Sequence, residues 1–314
     1  MAWNANGILQ HTNELEAILK TGNIDICLIS ETHLTNNTFV NIKNYETHCT
    51  NHPLNNARGG SAIIIKRTIK HHEEDKYCTE EFQATTISLK IEGIYLSITA
   101  LYSPPKHKIK CDQYKDLISK HKGRFIMGGD FNAKNIYWGS RLTTTKGREL
   151  LKAINDTGCE VISTGSPTFW QTDPTKKPDL IDFFISKKVN KSSLKIEHGF
   201  ELNSDHSPIY LTLNGKVNEC EKQLHLTNKH TDWEYFKINL LDTVEIAYPI
   251  TTIEDLEKEV EQFTTQLQDS AWYSTPVYEK KNFFQESYPK EIVDLIKEKR
   301  KLRKKMATNT IYLV

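Results

Sequence analysis

The chain has 314 residues, 38% hydrophobic and 26% charged, with a formal net charge of +1 and a pI near 7.6. That length suits one large domain or two smaller ones with a sizeable core, and the composition excludes a globally disordered chain. The near-neutral balance neither demands nor rules out a nucleic-acid partner, because a local basic strip can grip phosphates. Ile8, Leu9, Leu15, Ile18 and Leu19 recur at helical spacing, and Gly22 suits the helix end. Residues 24–29 form a short apolar run that reads as a buried strand ending just before Glu31. A second such run covers 62–65, after the turn signal Arg58-Gly59-Gly60. Residues 85–89 and 94–101 predict a hairpin turning at Glu92-Gly93, stopped by Pro104-Pro105. A helix over 114–121, a strand over 124–127 that delivers Asp130, and an amphipathic helix over 147–155 ended by Gly158 follow. Val161-Ile162 and residues 168–170, 180–185 and 209–213 complete the strand set.

Paired strands with intervening helices predict two sheets packed face to face and flanked by helices. Composition shifts after Leu213. A polar stretch precedes a helical stripe of Leu256, Val260, Phe263 and Leu267, interrupted by the phrase Trp272 to Pro276, and a basic helix over 290–306 carries the run 299–305. We divide the chain into a domain over 1–213 and a helical extension over 214–314. The basic run reads as a solvated helix face or a nucleic-acid contact, and charge runs are usually the former.

The six cysteines (Cys27, Cys49, Cys78, Cys111, Cys159, Cys220) form no Cys-x-x-Cys pair and match no zinc spacing. A reducing, intracellular compartment is expected, with Cys27 as a buried thiol. No apolar stretch reaches the ~18 to 20 residues that span a bilayer, and no secretory leader follows Met1, so no membrane partner is expected. The first phrase begins at Trp3 and leaves a strand little room, so the chain reads as a piece of a longer frame whose shortened first strand would leave Asn4 loosely held.

The chemistry lies in short phrases at the ends of apolar runs: Trp3-Asn4-Ala5-Asn6-Gly7, Ser30-Glu31-Thr32-His33, Gly128-Gly129-Asp130-Phe131-Asn132 and Ser204-Asp205-His206-Ser207. Together they offer hard oxygen ligands for a divalent cation and one imidazole, the equipment of phosphodiester hydrolysis. Alone, each phrase has a plain reading: a turn for the glycines and Asp130, a helix cap or exposed acid for Glu31, a polar turn for Asn4, a structural ring for His206. Glu31 can bind Mg²⁺ or Mn²⁺ directly. Asn4 can share the metal shell or hydrogen-bond a metal-binding carboxylate. Gly128 and Gly129 leave room for a phosphate backbone. Asp182 is an acid inside an apolar run, where an unpaired charge is expensive, and it is the natural partner to fix the tautomer of His206. Asp179 alternates out of phase and is expected to be exposed. Tyr102 and Thr168 can each hydrogen-bond a phosphate oxygen or simply pack, and His33 lines the groove or the surface.

This ordered set, with Tyr102-Ser103-Pro104-Pro105, Trp138-Gly139 and Asp179-Leu180-Ile181-Asp182-Phe183-Phe184, resembles the apurinic-type endonuclease domain of jockey-type non-LTR retrotransposons, within the endonuclease/exonuclease/phosphatase superfamily. The resemblance covers 1–213; the extension is similar to the connector before a reverse transcriptase, although no Tyr/Phe-x-Asp-Asp polymerase motif occurs. It implies a four-layer α/β sandwich and a Mg²⁺-dependent (Mn²⁺ as substitute) nick in one strand of double-stranded DNA, exposing a 3′-hydroxyl that primes reverse transcription of element RNA in the nucleus. It implies metal binding by Glu31, with Asn4 and Asp205; positioning of water and phosphate by Asp130 and Asn132; and phosphate contact by Tyr102 and by His206, held by Asp182. Asp130 and His206 both suit the role of general base. Thr168 and His33 are candidate substrate contacts. The alternatives are an abasic-site repair nuclease or other phosphoesterase of the superfamily, or an inactive remnant that binds nucleic acid.

Overall fold

The computed structural model describes residues 1–173, 176–219, 226–244, 250–276 and 290–309; Cys220 lies outside them. One sheet contains β1 (Ala2–Asn4), β2 (Ile26–Ser30), β3 (Tyr45–Thr50), β4 (Ser61–Lys66), β12 (Leu194–His198) and β13 (Ile209–Leu213), in the order β12-β13-β1-β2-β4-β3. The other contains β5 (His71–Glu73), β6 (Tyr77–Cys78), β7 (Gln83–Ile91), β8 (Ile94–Tyr102), β9 (Arg124–Asp130), β10 (Glu160–Ile162) and β11 (Asp182–Lys187). Its order is β10-β11-β9-β8-β7-β5, with β6 also on β7. Each sheet is mixed: β1–β2 and β8–β9 are parallel and the other pairs antiparallel.

Successive strand residues point to opposite faces, and here both faces are covered. Leu28, Ile63, Ile65, Ile98, Ile126, Phe184 and Ile209 fill the space between the sheets. Cys27, Ile29 and Ile64 point outward to helix α1 (Thr12–Thr21), while Phe125, Met127, Phe183 and Ile185 point outward to helices α2 (Cys111–Ser119) and α3 (Thr145–Thr157). The order is therefore helix, sheet, sheet, helix, and this two-sided burial explains why the central strands read as unbroken apolar runs.

Several expectations are corrected. Residues 168–170 form no strand; Phe169 makes isolated bridges to Asp179 and His206. β3, β5, β6 and β12 were not anticipated. After α4 (Trp233–Thr243), helix α5 (Ile253–Tyr273) runs through Trp272 and Tyr273 rather than breaking there. Asn4 is not loose, because Ala2–Asn4 pair in parallel with Leu28–Ser30 and Asn4 is buried.

Contacts group Met1–Cys220 with Glu286–Val314 in one compact unit and Glu221–Gln285 in another. The first includes helix α6 (Lys290–Asn309), which carries the basic run. In the second, α4 and α5 pair, and Asp232 and Thr252 cap their N-termini. No helix among the described residues is long and apolar enough to cross a membrane. The described cysteines are all free, and Cys27 is buried.

Candidate active site

The register of the second sheet places Tyr102 and Asp182 beside Asp130 on its two neighbouring strands. In the first sheet Asn4 lies level with Ser30, and the backbone then turns at Glu31. The loop into β13 brings Asp205 and His206 to the same end. Asn4, Asn6, Glu31, Tyr102, Asp130, Asn132, Phe169, Asp205 and His206 thus line one cleft of about 320 Å³.

The turns that aim these groups are strained. Asn6, Glu31, His33 and Asn132 all have φ between +45° and +55°. Asn tolerates that region, whereas Glu and His pay for it, on the order of 1–2 kcal/mol each. The strain swings the Glu31 carboxylate toward Asn4. Gly7 N–H and Ile8 N–H hold the turn by donating to the carbonyls of Glu31 (2.8 Å) and Thr32 (3.1 Å).

Asn4 works through its amide nitrogen, which donates to Glu31 Oε1 (3.0 Å) and Asp130 Oδ2 (2.9 Å), while its Oδ1 accepts from Asn6 N–H (3.0 Å). It thereby bridges two carboxylates. Asp130 also accepts from Asn132 N–H (2.8 Å) and Asn132 Nδ2 (2.8 Å). His206 Nδ1 donates to Asp182 Oδ2 at 2.8 Å, and the same oxygen accepts from the Thr168 hydroxyl at 2.7 Å. This fixes the tautomer and leaves the other ring nitrogen for the cleft.

Two expected substrate contacts are placed differently. Thr168 is fully buried and holds Asp182 from below, so it does not reach the cleft. His33 stands behind Glu31, with Nε2 3.4 Å from Oε2, and does not line the cleft. Asp179 is fully buried, not exposed. Lys134 Nζ lies 2.9 Å from its Oδ2 and the Arg141 N–H donates to its Oδ1 (2.9 Å). Gly128 and Gly129 also serve another purpose than phosphate access. A Cβ on Gly128 would lie 2.3 Å from the Phe184 ring, and one on Gly129 2.0 Å from the Leu101 carbonyl oxygen. Phe184 and Leu101 lie on neighbouring strands of the same sheet; from the other sheet Leu28 Cδ1 would lie 3.1 Å from the first Cβ and Ser30 Oγ 2.8 Å from the second, so the glycines let strands and sheets close beneath the site.

A family model described as endonuclease-reverse transcriptase matches residues 96–210. The RNA-directed DNA polymerase from mobile element jockey of Drosophila melanogaster is 30% identical over 307 residues, 97% of this chain and 34% of that protein. The probable RNA-directed DNA polymerase from transposon BS of the same organism is 28% identical over 308 residues, again 97% of this chain and 34% of that protein. The chain spans about a third of the length of these relatives. The endonuclease domain of TRAS1, a telomere-specific non-LTR retrotransposon, superposes with a TM-score of 0.57 at 18% identity, covering 68% of this chain and 95% of that one. The AP endonuclease LMAP from Leishmania major gives 0.55 at 13% identity, covering 68% and 86%. At these identities the superpositions speak for the fold.

Residues 96–210 thus match the endonuclease-reverse transcriptase family model, and nearly the whole chain is similar to part of the jockey polymerase.

The electrostatics of the cleft follow from burial and charge. Burial, then Asp182 and Glu31, push the Asp130 carboxyl up to about 8, against the pull of His206. Burial alone would lower His206, but the charge and hydrogen bond of Asp182 overcome it and hold the imidazolium to about 9. Glu31 is also penalised by burial, yet hydrogen bonds from His33, Asn4 and Tyr102 keep it below the usual carboxylate range. Burial, reinforced by Glu31 and Asp130, raises Tyr102, so its phenol stays protonated and can donate. The cleft thus offers ionised Glu31 beside oxygen donors from Asp205, Asn6 and Asn132, a set that fits a hard divalent cation. Asp130, Asp182 and His206 also form a compact group of potential ligand atoms.

Sequence reading missed the supporting shell. Ser30 accepts the Asp130 N–H (3.0 Å) and donates to the Leu101 carbonyl (2.8 Å). Phe169 packs on the His206 ring with centroids 4.7 Å apart, and Trp3 Nε1 donates to the His206 carbonyl (3.3 Å). Lys146, a helix lysine that reads as solvated, is buried and donates to the carbonyls of Ser103 (3.1 Å) and Pro104 (2.8 Å). Burial lowers it to about 7. Part of the basic run is likewise not solvated: Arg303 pairs with Glu201, donates to Ser207 Oγ (3.0 Å) and lies over the Trp170 ring, 5.1 Å from its centroid. It braces the loop that carries Asp205 and His206.

Proposed function

We propose that this domain is a metal-dependent DNA endonuclease. It nicks one strand of double-stranded DNA by phosphodiester hydrolysis and exposes a 3′-hydroxyl for target-primed reverse transcription of element RNA by the parent protein in the nucleus. The observation that carries the reading is the meeting of Glu31, Asp130, Asp205 and His206 in one cleft, with His206 oriented by Asp182.

Glu31 and Asp205 would hold Mg²⁺, or Mn²⁺ in its place, which supplies Lewis-acid charge to a phosphate oxygen when bound. The protein's own groups do the rest. Asn4 keeps the carboxylates of Glu31 and Asp130 at fixed separation. Asp130, held by Asn132, takes the proton of the attacking water in its ionised form, which a bound cation nearby would favour. His206 is already an imidazolium at neutral pH, so it suits the developing charge on phosphorus oxygens better than it suits a base. Tyr102 donates its hydroxyl to the same group. Of the two candidate bases, Asp130 is the one whose ionised form is negatively charged, as a base beside a bound cation requires.

The discriminating experiment incubates the protein and Mg²⁺ with supercoiled plasmid, with and without abasic sites. Nicked circles from both substrates support the reading. Cutting of abasic DNA alone would replace it with a repair-type nuclease, and DNA binding without cleavage would replace it with a remnant.

A further inference from the structure

We propose that Glu46, His48 and His71 form a second cation site, selective for a borderline-soft transition metal of the Zn²⁺ type, which staples the two sheets together. None of these residues lines the active cleft. Glu46 and His48 lie two apart on the same face of β3, the edge strand of one sheet, and His71 lies on β5, the edge strand of the other. Their potential ligand atoms all fall within 4.8 Å of one another.

The tautomers carry the argument. His71 Nδ1 lies 2.8 Å from the Ile69 carbonyl oxygen, which can only accept, so Nδ1 holds the proton. His71 Nε2 therefore presents a lone pair, and it faces His48 Nε2 at 2.9 Å, hydrogen-bond distance, where a cation bound to both nitrogens would take the place of the shared proton. His48 Nδ1 lies 3.3 Å from Glu73 Oε2, a carboxylate within ion-pair reach. Glu46 completes the set, with Oε1 3.7 Å from His48 Nε2 and Oε2 3.8 Å from His71 Nε2.

These separations suit shared coordination. Two nitrogens at about 2.0–2.1 Å from a tetrahedral zinc lie roughly 3.3 Å apart, so the rings open by a few tenths of an ångström. The Nδ1 partners, a carboxylate and a carbonyl, are the outer supports that orient ligating imidazoles. The His side chains are 11% and 7% exposed and so held in place, whereas Glu46 is 49% exposed and free to swing in, with water completing the shell. Two imidazoles and one carboxylate select Zn²⁺ over Mg²⁺, which prefers all-oxygen ligands.

The test strips the protein with chelator, saturates the active cleft with millimolar Mg²⁺, and titrates Zn²⁺ against wild type and His48→Gln. Wild type should take up one more equivalent than the variant, with a saturating rise in Tm that the variant lacks. Equal uptake and equal Tm would overturn the proposal. Imidazole nitrogen NMR on wild type guards against a misfolded variant: Zn²⁺ should move the Nε2 resonances of His48 and His71. Unmoved resonances would overturn the proposal independently of any substitution.

Discussion

Ser30→Ala tests how the two sheets hold the acid between them. Ser30 is fully buried and lies outside the cleft lining. Its hydroxyl stands between neighbouring strands of the other sheet, accepting from Asp130 N–H and donating to the Leu101 carbonyl. Alanine removes both bonds and leaves the Asp130 N–H buried without its partner. A net bond is worth about 1 kcal/mol and an orphaned buried donor costs about 1–3 kcal/mol, so a loss of about 2–3 kcal/mol is expected. The domain should stay folded, since typical stabilities are about 5–15 kcal/mol. Urea unfolding should show a lower midpoint at unchanged slope. Because Asp130 loses its backbone anchor, kcat for plasmid nicking should fall about tenfold or more while KM changes little. A stability change under about 0.5 kcal/mol with unchanged kcat would refute the reasoning.

Three further outcomes follow from the same geometry. Asp182→Asn removes the neighbour that raises His206 from its ordinary value to about 9. The imidazolium is lost as pH rises through its pKa, so the alkaline limb of the nicking profile should move down by a unit or more; an unmoved limb would separate the pair from function. Gly128→Ala drives a Cβ to 2.3 Å from the buried Phe184 ring on the adjacent strand and should cost about 1–3 kcal/mol of overpacking, read by thermal unfolding; a neutral result would mean that β9 and β11 do not pack this closely. Burial lowers His121 to about 4, below its unfolded value near 6.5, so the unfolded chain binds the extra proton between those values. This contribution to stability is present above about pH 6.5 and lost as pH falls toward 4, amounting to on the order of 2–3 kcal/mol. His121→Gln should flatten that slope relative to wild type, and a slope that persists would count against it.

What sequence reading reached and missed has physical causes. β2, β9 and β11 were legible because both their faces are buried, which writes apolar runs; β2 and β9 run up to an acid and β11 starts from one. β3 (Tyr-Glu-Thr-His-Cys-Thr) and β12 (Leu-Lys-Ile-Glu-His) are edge strands with mixed polarity, so neither template stands out. The pairing of Asp182 with His206 was reachable from the cost of a lone acid in an apolar run. Asp179 misled because its compensating charges, Lys134 and Arg141, come from a distant loop that a period-two argument cannot see. Thr168 misled for a similar reason: its partner is Asp182, the first residue of β11, and not a group in the cleft. Ser30 and Lys146 carry no local signal, since a serine at a strand end and a lysine on a helix are unremarkable until the layers close.

The most direct test of the central claim measures nicking of supercoiled plasmid in Mg²⁺ by wild type and Glu31→Gln, with circular dichroism to confirm the fold. Wild type should convert the plasmid to open circles and stop when chelator is added, while the variant, folded alike, should lose at least about a hundredfold in rate, on the scale of removing one electrostatic group from a hydrolytic site. Wild-type nicking by Glu31→Gln, or nicking that survives chelation, would contradict a cleft built around a bound dication.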